Sequence, residues 1–175
     1  NIAALSLNST DARLRADKSV SVGFVVAAVL WPQVAAAWAD YQQQGMRAAA
    51  ALNSAIADVR GQMDRGWGVP QRYSATMREI WVLQTQFEHR RGARPFKLLT
   101  QPRFRAAYDF LLLRSELNEV PAELAQWWQH FQAVSEEERQ QMSQAAPTTD
   151  SGEVKKRRRR PRKKAAGANS GGTAA

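Results

Sequence analysis

Residues 49–63 read AAALNSAIADVRGQM, and the apolar members Ala49, Leu52, Ile56, Val59 and Met63 step by 3, 4, 3, 4. That step draws one stripe along an α-helix, because side chains three and four positions apart lie above one another. A single stripe must be covered by other elements, and the same period recurs on both flanks. Upstream, Val22, Val25, Val26, Val29 and Leu30 repeat at helical spacing behind capping residues at 17–21, and read as a buried helix. Pro32 is expected to kink or restart it, with Val34, Trp38 and Tyr41 continuing the apolar side. Downstream, Gly61, Gly66, Gly68 and Pro70 break the chain before a third helix at about 74–89, which presents Met77, Ile80, Trp81 and Phe87 and ends at Gly92.

The remaining elements follow the prolines. Pro95 opens a short turn through Leu99, and Pro102 is expected at a first helical position, where its missing donor costs nothing. The helix after it carries Phe104, Ala107, Tyr108, Phe110, Leu111, Leu112, Leu113 and Leu117, apolar on most sides, and reads as the centre of a bundle. Pro121 starts a helix with Leu124, Trp127, Trp128 and Phe131, and Ser135 with Glu138 has capping-box spacing for a last one. No strand pattern occurs. The fold class is all-α, a compact helical bundle. Beyond Pro147 the only large apolar residue is Val154, so nothing repays the entropy of ordering and a disordered basic tail is expected.

The 175 residues suffice for one ordinary core plus a tail. The absence of cysteine excludes a disulfide scaffold and thiolate metal sites, and fits a reducing, cytoplasmic compartment. The apolar run at 22–31 is shorter than the roughly 20 residues that cross a bilayer, so no transmembrane segment is expected. A chain that opens on Asn1 reads as a piece of a longer protein.

Charge is segregated. Lys155, Lys156, Arg157, Arg158, Arg159, Arg160, Arg162, Lys163 and Lys164 surround Pro161 in a run that seeks polyanions. Residues 65–114 carry ten Arg or Lys against Glu79, Glu88 and Asp109, a net of +7 within a chain of net charge +9. There, Arg72, Arg90, Arg91, Arg94, Lys97 and Arg103 are the candidate nucleic-acid contacts. They are interleaved with Tyr73, Trp81, Phe87 and Phe96, and arginine with aromatic side chains can grip phosphates and stack bases. Trp81 and Phe87 have core spacing and read as packing residues, while Arg105 reads as the i,i+4 partner of Asp109. One of Trp127 and Trp128 is expected in the core, since adjacent helical residues point about 100° apart.

Bond chemistry finds few candidates. His89 and His130 stand forty-one residues apart without metal-ligand spacing, and Glu136 with Glu138 reads as a complement to a helix dipole. Gly61, Gly66 and Gly68 follow a helix and not a strand, which is the wrong setting for a phosphate-cradling loop. No catalytic, cofactor-binding or metal-binding residue is assigned.

Several blocks resemble a known family. Residues 8–13 (NSTDAR), 17–18 (DK) and 27–32 (AAVLWP) are similar to the helices that follow the catalytic head of bacterial poly(A) polymerases. Residues 69–73 (VPQRY), 78–81 (REIW), 90–92 (RRG), 97–99 (KLL), 102–114 (PRFRAAYDFLLLR) and Trp127-Trp128 resemble that family's C-terminal domain. The resemblance covers 1 to about 134 in order and extends to the tail in composition only. It implies neck and body helices at 1–68, a helical RNA-binding domain at 69–146 and an Arg/Lys-rich tail at 147–175. It also implies a polynucleotide adenylyltransferase that uses ATP and Mg²⁺ to add adenylates to single-stranded RNA 3′ ends and promotes RNA decay, with decay proteins such as a helicase or exonuclease as partners. The family's catalytic head carries a Gly-Ser motif and paired aspartates, and this sequence has neither a Gly-Ser dipeptide nor Asp-x-Asp. Without the resemblance, the alternative is a freestanding helical nucleic-acid-binding or adaptor protein with a generic polyanion-binding tail.

Overall fold

The computed structural model of the protein describes residues 2–66 and 68–149, with side chains from residue 20 onward. The basic run at 155–164 therefore lies outside the described residues. Within them are α1 (Ile2–Gln43), α2 (Ala48–Gly66), α3 (Gln71–Leu83), α4 (Arg94–Leu99), α5 (Phe104–Glu116), α6 (Ala122–Ala133) and α7 (Glu136–Ala145). A 3₁₀ turn, Gln84–Glu88, extends α3, and no strand forms among the described residues.

Two apolar clusters hold the helices together. The first joins Ala27, Leu30, Trp31 and Val34 of α1 to Leu52, Ile56, Val59 and Met63 of α2 and to Met77, Ile80 and Trp81 of α3. The second gathers Phe87, Leu98, Leu124, Trp128 and Phe131. Helix α5 serves both, giving Phe110 to the first and Phe104, Ala107, Tyr108 and Leu111 to the second. Tryptophan donors tie the clusters to the backbone: Trp81 Nε1 reaches the Ala27 carbonyl at 3.2 Å and Trp128 Nε1 the Phe87 carbonyl at 2.9 Å. Each buried indole thereby satisfies its one polar atom while crosslinking distant segments.

Two helices end in a left-handed residue. After α1, the Gly45 N–H bonds the Gln42 carbonyl (3.0 Å) and the Met46 N–H bonds the Tyr41 carbonyl (3.1 Å), with Gly45 at φ 91°. After α5, Asn118 at φ 58° donates to the Ser115 carbonyl (3.0 Å) while the Glu119 N–H reaches the Arg114 carbonyl (2.9 Å). Both are Schellman closures, in which that one residue folds the chain back over the last turn.

Several expectations are corrected. Helix α1 begins well before 17–21, so those residues do not start it, and it continues through Pro32 without restarting. Pro32 is exposed, so its ring lies on the outer side of the helix. The face of α1 turned inward is also not the valine line. Val22, Val25 and Val29 are 40%, 59% and 65% exposed, while Gly23, Ala27, Leu30, Trp31 and Val34 are buried. The reason is steric: a Cβ at Gly23 would lie 2.8 Å from the Thr76 side chain, so α3 can approach α1 only along this small-residue line. Alanines at 35–37 and 39 prolong the apolar character beyond residue 31, and Val20–Gln43 is long and apolar enough, by length and composition, to cross a bilayer. One side of that helix is nevertheless committed to the first cluster. Ala49 is exposed, at the edge of the α2 stripe whose other four members are buried. Helical geometry in α3 gives way to the 3₁₀ turn after Leu83, and Pro102 lies in a turn closed by Phe104 N–H to the Gln101 carbonyl (3.0 Å), not in the helix.

Other expectations agree with the structure. Trp81, Phe87 and Trp128 have no exposed surface. Trp127 is half-buried and stacks on Phe131 at 4.8 Å, Arg105 pairs with Asp109 at 3.3 Å, and Ser135 Oγ accepts from the Glu138 N–H at 3.3 Å.

Candidate nucleic-acid interface

The segment between the 3₁₀ turn and α4 is tied down from outside. Gly92 N–H bonds the Ser143 carbonyl of α7 at 3.2 Å, and Arg91 Nη1 reaches the Ala146 carbonyl at 3.3 Å. Pro95 and Leu98 bury the inner face of α4, which turns Arg94 and Lys97, three positions apart, outward together. On α3, Arg78 and Val82 occupy one outer line four positions apart, and Gln86 comes next in the 3₁₀ turn. Arg103, in the turn before α5, comes within 3.0 Å of Glu79 Oε2. Its Nε–H is not aimed at that oxygen and makes no hydrogen bond, so the contact is an ion pair only.

These side chains border three depressions. One, of about 350 Å³, lies between Arg78, Gln86 and Arg103. A second, of about 300 Å³, lies between Gln86, His89, Arg94 and Lys97. The third is a cleft of about 780 Å³ reached past His89 and Arg94, with Trp38, Arg47, Gln84, Glu88, Arg114 and Glu119 among its walls. Gln86 is common to the first two, and His89 and Arg94 to the last two, so the depressions adjoin one another along one face, called the groove below. Six cations (Arg47, Arg78, Arg94, Lys97, Arg103, Arg114) border it against three carboxylates (Glu79, Glu88, Glu119). A strip with that imbalance concentrates phosphates.

The cleft is lined in part by a polar network that is buried at Arg114 and Gln84 and exposed at Glu119. Arg114 is 5% exposed and sits with its guanidinium 5.0 Å from the Trp31 ring and 5.6 Å from the Trp38 ring. Its Nε donates to Glu119 Oε2 and its Nη1 to Gln84 Oε1, both at 3.3 Å. Glu119 Oε2 also accepts from Trp31 Nε1 at 2.7 Å. Gln84 Nε2 donates to the carbonyls of Ile80 (3.0 Å) and Ala107 (3.1 Å), so each polar end of Gln84 is used. Burial pulls the Arg114 pKa down and Glu119 pushes it back up, the usual contest between desolvation and a partner charge. One wall is the first turn of α2, where the half-buried Trp38 donates Nε1 to the Ala48 carbonyl at 2.9 Å.

Of the candidate contacts read from the sequence, Arg94, Lys97 and Arg103 border the groove, and Arg72, Arg90 and Arg91 do not. Arg72 lies against Tyr73, 4.7 Å from its ring. Arg90 has a 12% exposed side chain, pairs with Glu123 at 2.9 Å and lies 5.9 Å from the Trp127 ring. Lys155, Lys156, Arg157, Arg158, Arg159, Arg160, Arg162, Lys163 and Lys164 lie outside the described residues. Sequence reasoning passed over Arg47, Gln86, Trp38 and Glu119 as site residues. Nothing local marks Arg47 or Trp38, whose place opposite Arg94 depends on how α1 and α2 dock. For Glu119 the signal was available: Asn118 can take the left-handed cap and return the next residue over Arg114.

The described residues thus form an all-helical scaffold whose depressions are bordered by more cations than carboxylates. Comparison with known proteins gives its family. The profile described as Polymerase A arginine-rich C-terminus matches residues 44–164, and the chain belongs to that family. Poly(A) polymerase I of Salmonella typhi is 38% identical over 135 residues, 75% of this chain and 29% of that protein. The Escherichia coli O157:H7 protein of the same name is 38% identical over 129 residues (72% and 28%), and that of Haemophilus influenzae 32% identical over 129 residues (73% and 28%). The chain thus spans under a third of the length of these relatives.

Proposed function

We propose that this chain is the part of a bacterial poly(A) polymerase that guides and retains single-stranded RNA, in the cytoplasm, while adenylates from ATP are added to its 3′ end. In this reading residues 1–68 follow the catalytic head, 69–146 carry most of the groove, and 147–175 add a sequence-blind arm. The reaction product is marked for RNA decay, and decay enzymes are the expected protein partners. The observation that carries the proposal is the groove: three joined depressions bordered by six cations, in a chain of this family. In the same reading ATP and Mg²⁺ bind at the catalytic head of the full-length polymerase.

Salt dependence tests the groove. Each phosphate contact to single-stranded nucleic acid contributes about 0.7 to the slope of log affinity against log salt. Replacing Arg78, Arg94 and Lys97 together by glutamine is expected to flatten that slope by about 2 for an RNA oligonucleotide. Arg72→Gln, away from the groove, serves as the control and should leave it in place. Replacing Arg157, Arg158, Arg159 and Arg160 by glutamine should flatten it separately. An unchanged slope in the triple groove variant refutes the assignment.

A further inference from the structure

We infer that the basic run at 155–164 starts beside one end of the groove and continues it, so that groove and arm hold a single strand together as a two-part clamp; the inference rests on the RNA-guiding role proposed above. The depressions have an order. The one at Arg78 and Arg103 shares Gln86 with the one at Lys97, which shares His89 and Arg94 with the large cleft, while the first and last have no residue in common. The cleft is therefore one end of the line, and Thr149, the last described residue, is part of its wall.

Thr149 is held at that wall by a strap. A helix leaves carbonyls at its C-terminal end that no residue within it can serve, and for α7 the segment 88–92 serves two of them. Gly92 N–H bonds the Ser143 carbonyl at 3.2 Å, and Arg91 Nη1 the Ala146 carbonyl at 3.3 Å. Ser143 and Ala146 are both buried, so the end of α7 is fixed against that segment. Three residues on, Thr149 Oγ1 donates to the Glu88 carbonyl at 2.7 Å. Glu88 and His89 are themselves cleft residues. The wall of the cleft and the root of the arm are thus one hydrogen-bonded unit, and Arg91, which does not border the groove, has a positioning role in it.

Chain length limits where the cations of the arm can begin. Lys155 stands six positions beyond Thr149, and a fully extended chain of that length spans at most about 20 Å. The basic run therefore starts within about 20 Å of the cleft wall, whatever path residues 150–154 take. Asp150 and Glu153 stand between it and the groove in sequence, so the clamp has two cationic parts and not one continuous surface. A strand seated in the groove and leaving by the cleft emerges beside the second part. Its engagement there is intramolecular, governed by an effective concentration in the millimolar range for a short link. The same run attached far from the groove would attract polyanions equally and add no such advantage.

Lengthening the link separates placement from charge. About twenty Gly and Ser residues inserted between Thr149 and Asp150 keep every cation, while effective concentration falls roughly as the −3/2 power of link length, about ninefold for this change. An RNA of about thirty nucleotides is expected to bind the lengthened chain about five- to tenfold more weakly than the unaltered chain, with the same salt slope. An RNA of about six nucleotides, too short to engage both parts, should change less than about twofold. In a chain already carrying Arg78→Gln, Arg94→Gln and Lys97→Gln, the insertion should affect neither RNA, because one part of the clamp is gone. Unchanged affinity for the longer RNA, an equal fall for both lengths, or an effect that survives the three groove substitutions overturns the clamp. If the insertion does nothing while the three groove substitutions flatten the salt slope, the groove reading stands and the clamp alone falls. If those substitutions leave the slope in place, or neither RNA binds the unaltered chain, both readings fall.

Discussion

Removing Arg114 should cost the fold about 2–3 kcal/mol, a net of several opposing contributions. Truncation to alanine leaves Gln84 Oε1, on a side chain that is 1% exposed, with no donor. An orphaned buried acceptor costs about 1–3 kcal/mol. It also removes a cation lying on two indoles at 5.0 and 5.6 Å, worth about 0.5–2 kcal/mol in partly dry surroundings. The ion pair adds little, about 0–1 kcal/mol, because the Glu119 side chain is 32% exposed and Trp31 still donates to it. Against these losses stands the relief of no longer burying a guanidinium, which brings the total down. Arg114→Met fills the volume and should cost about 1 kcal/mol less than Arg114→Ala. Urea unfolding followed by tryptophan fluorescence reads both values, since Trp31 and Trp38 flank the site. A cost of Arg114→Ala within 0.5 kcal/mol of zero, taken as roughly the floor for surface substitutions, would refute the network as a structural element. So would a methionine variant less stable than alanine.

Four further perturbations have definite expected outcomes. Gly23→Ala must push apart α1 and α3 at Thr76, where the added carbon would sit 2.8 Å from Cβ and Cγ2; a loss of about 1–3 kcal/mol is expected in thermal or urea melts. Asn118→Val places a β-branched residue at φ 58° and should cost about 1–2 kcal/mol, whereas Asn118→Gly should be neutral or better by the same assay. Ser135→Ala removes the acceptor at the start of α7 and should cost about 1 kcal/mol, read by helical circular dichroism during melting. The Tyr41 phenol donates to Asp58 Oδ2 at 2.6 Å, and that bond, followed by burial and the carboxylate charge, holds its pKa above the ordinary tyrosine value. The contribution of this pair to stability is complete below the ordinary value and disappears as pH rises through the elevated one. Phenolate absorbance in a Tyr73→Phe, Tyr108→Phe background should therefore titrate earlier once Asp58 is replaced by asparagine.

Local period and punctuation carried the helices well. The line Leu52, Ile56, Val59, Met63 is buried, Pro121 immediately precedes α6, and Ser135 caps α7. Each of these depends on neighbours within a few positions. The face of α1 could not be read that way. Its valines are the more hydrophobic choice, yet closeness to α3 selects the line of Gly23 and Ala27, and that closeness is decided by Thr76, fifty-three residues later. The groove was legible in part for the same reason. Arg94 and Lys97 face one way because Pro95 and Leu98 face the other, a helix-period argument available from the sequence. Arg90, equally basic and in the same cluster, instead finds Glu123 and Trp127 on α6, and no nearby residue announces those partners. Trp38 and Arg47 come to the cleft through the packing of whole helices.

The two left-handed closures give the molecule an indirect kind of constraint. Gly45 stands two residues before Arg47, and Asn118 one residue before Glu119, so backbone handedness at two positions that do not line the cleft sets the course of the chain just before two residues that do. A chain drifting under mutation can keep these turns with little besides glycine or asparagine at either position, though neither lines the cleft. Engineers wishing to change what the cleft accepts can use that separation. Substitutions at 47 and 119 alter chemistry at a fixed place, whereas substitutions at 45 and 118 move the place and keep the chemistry.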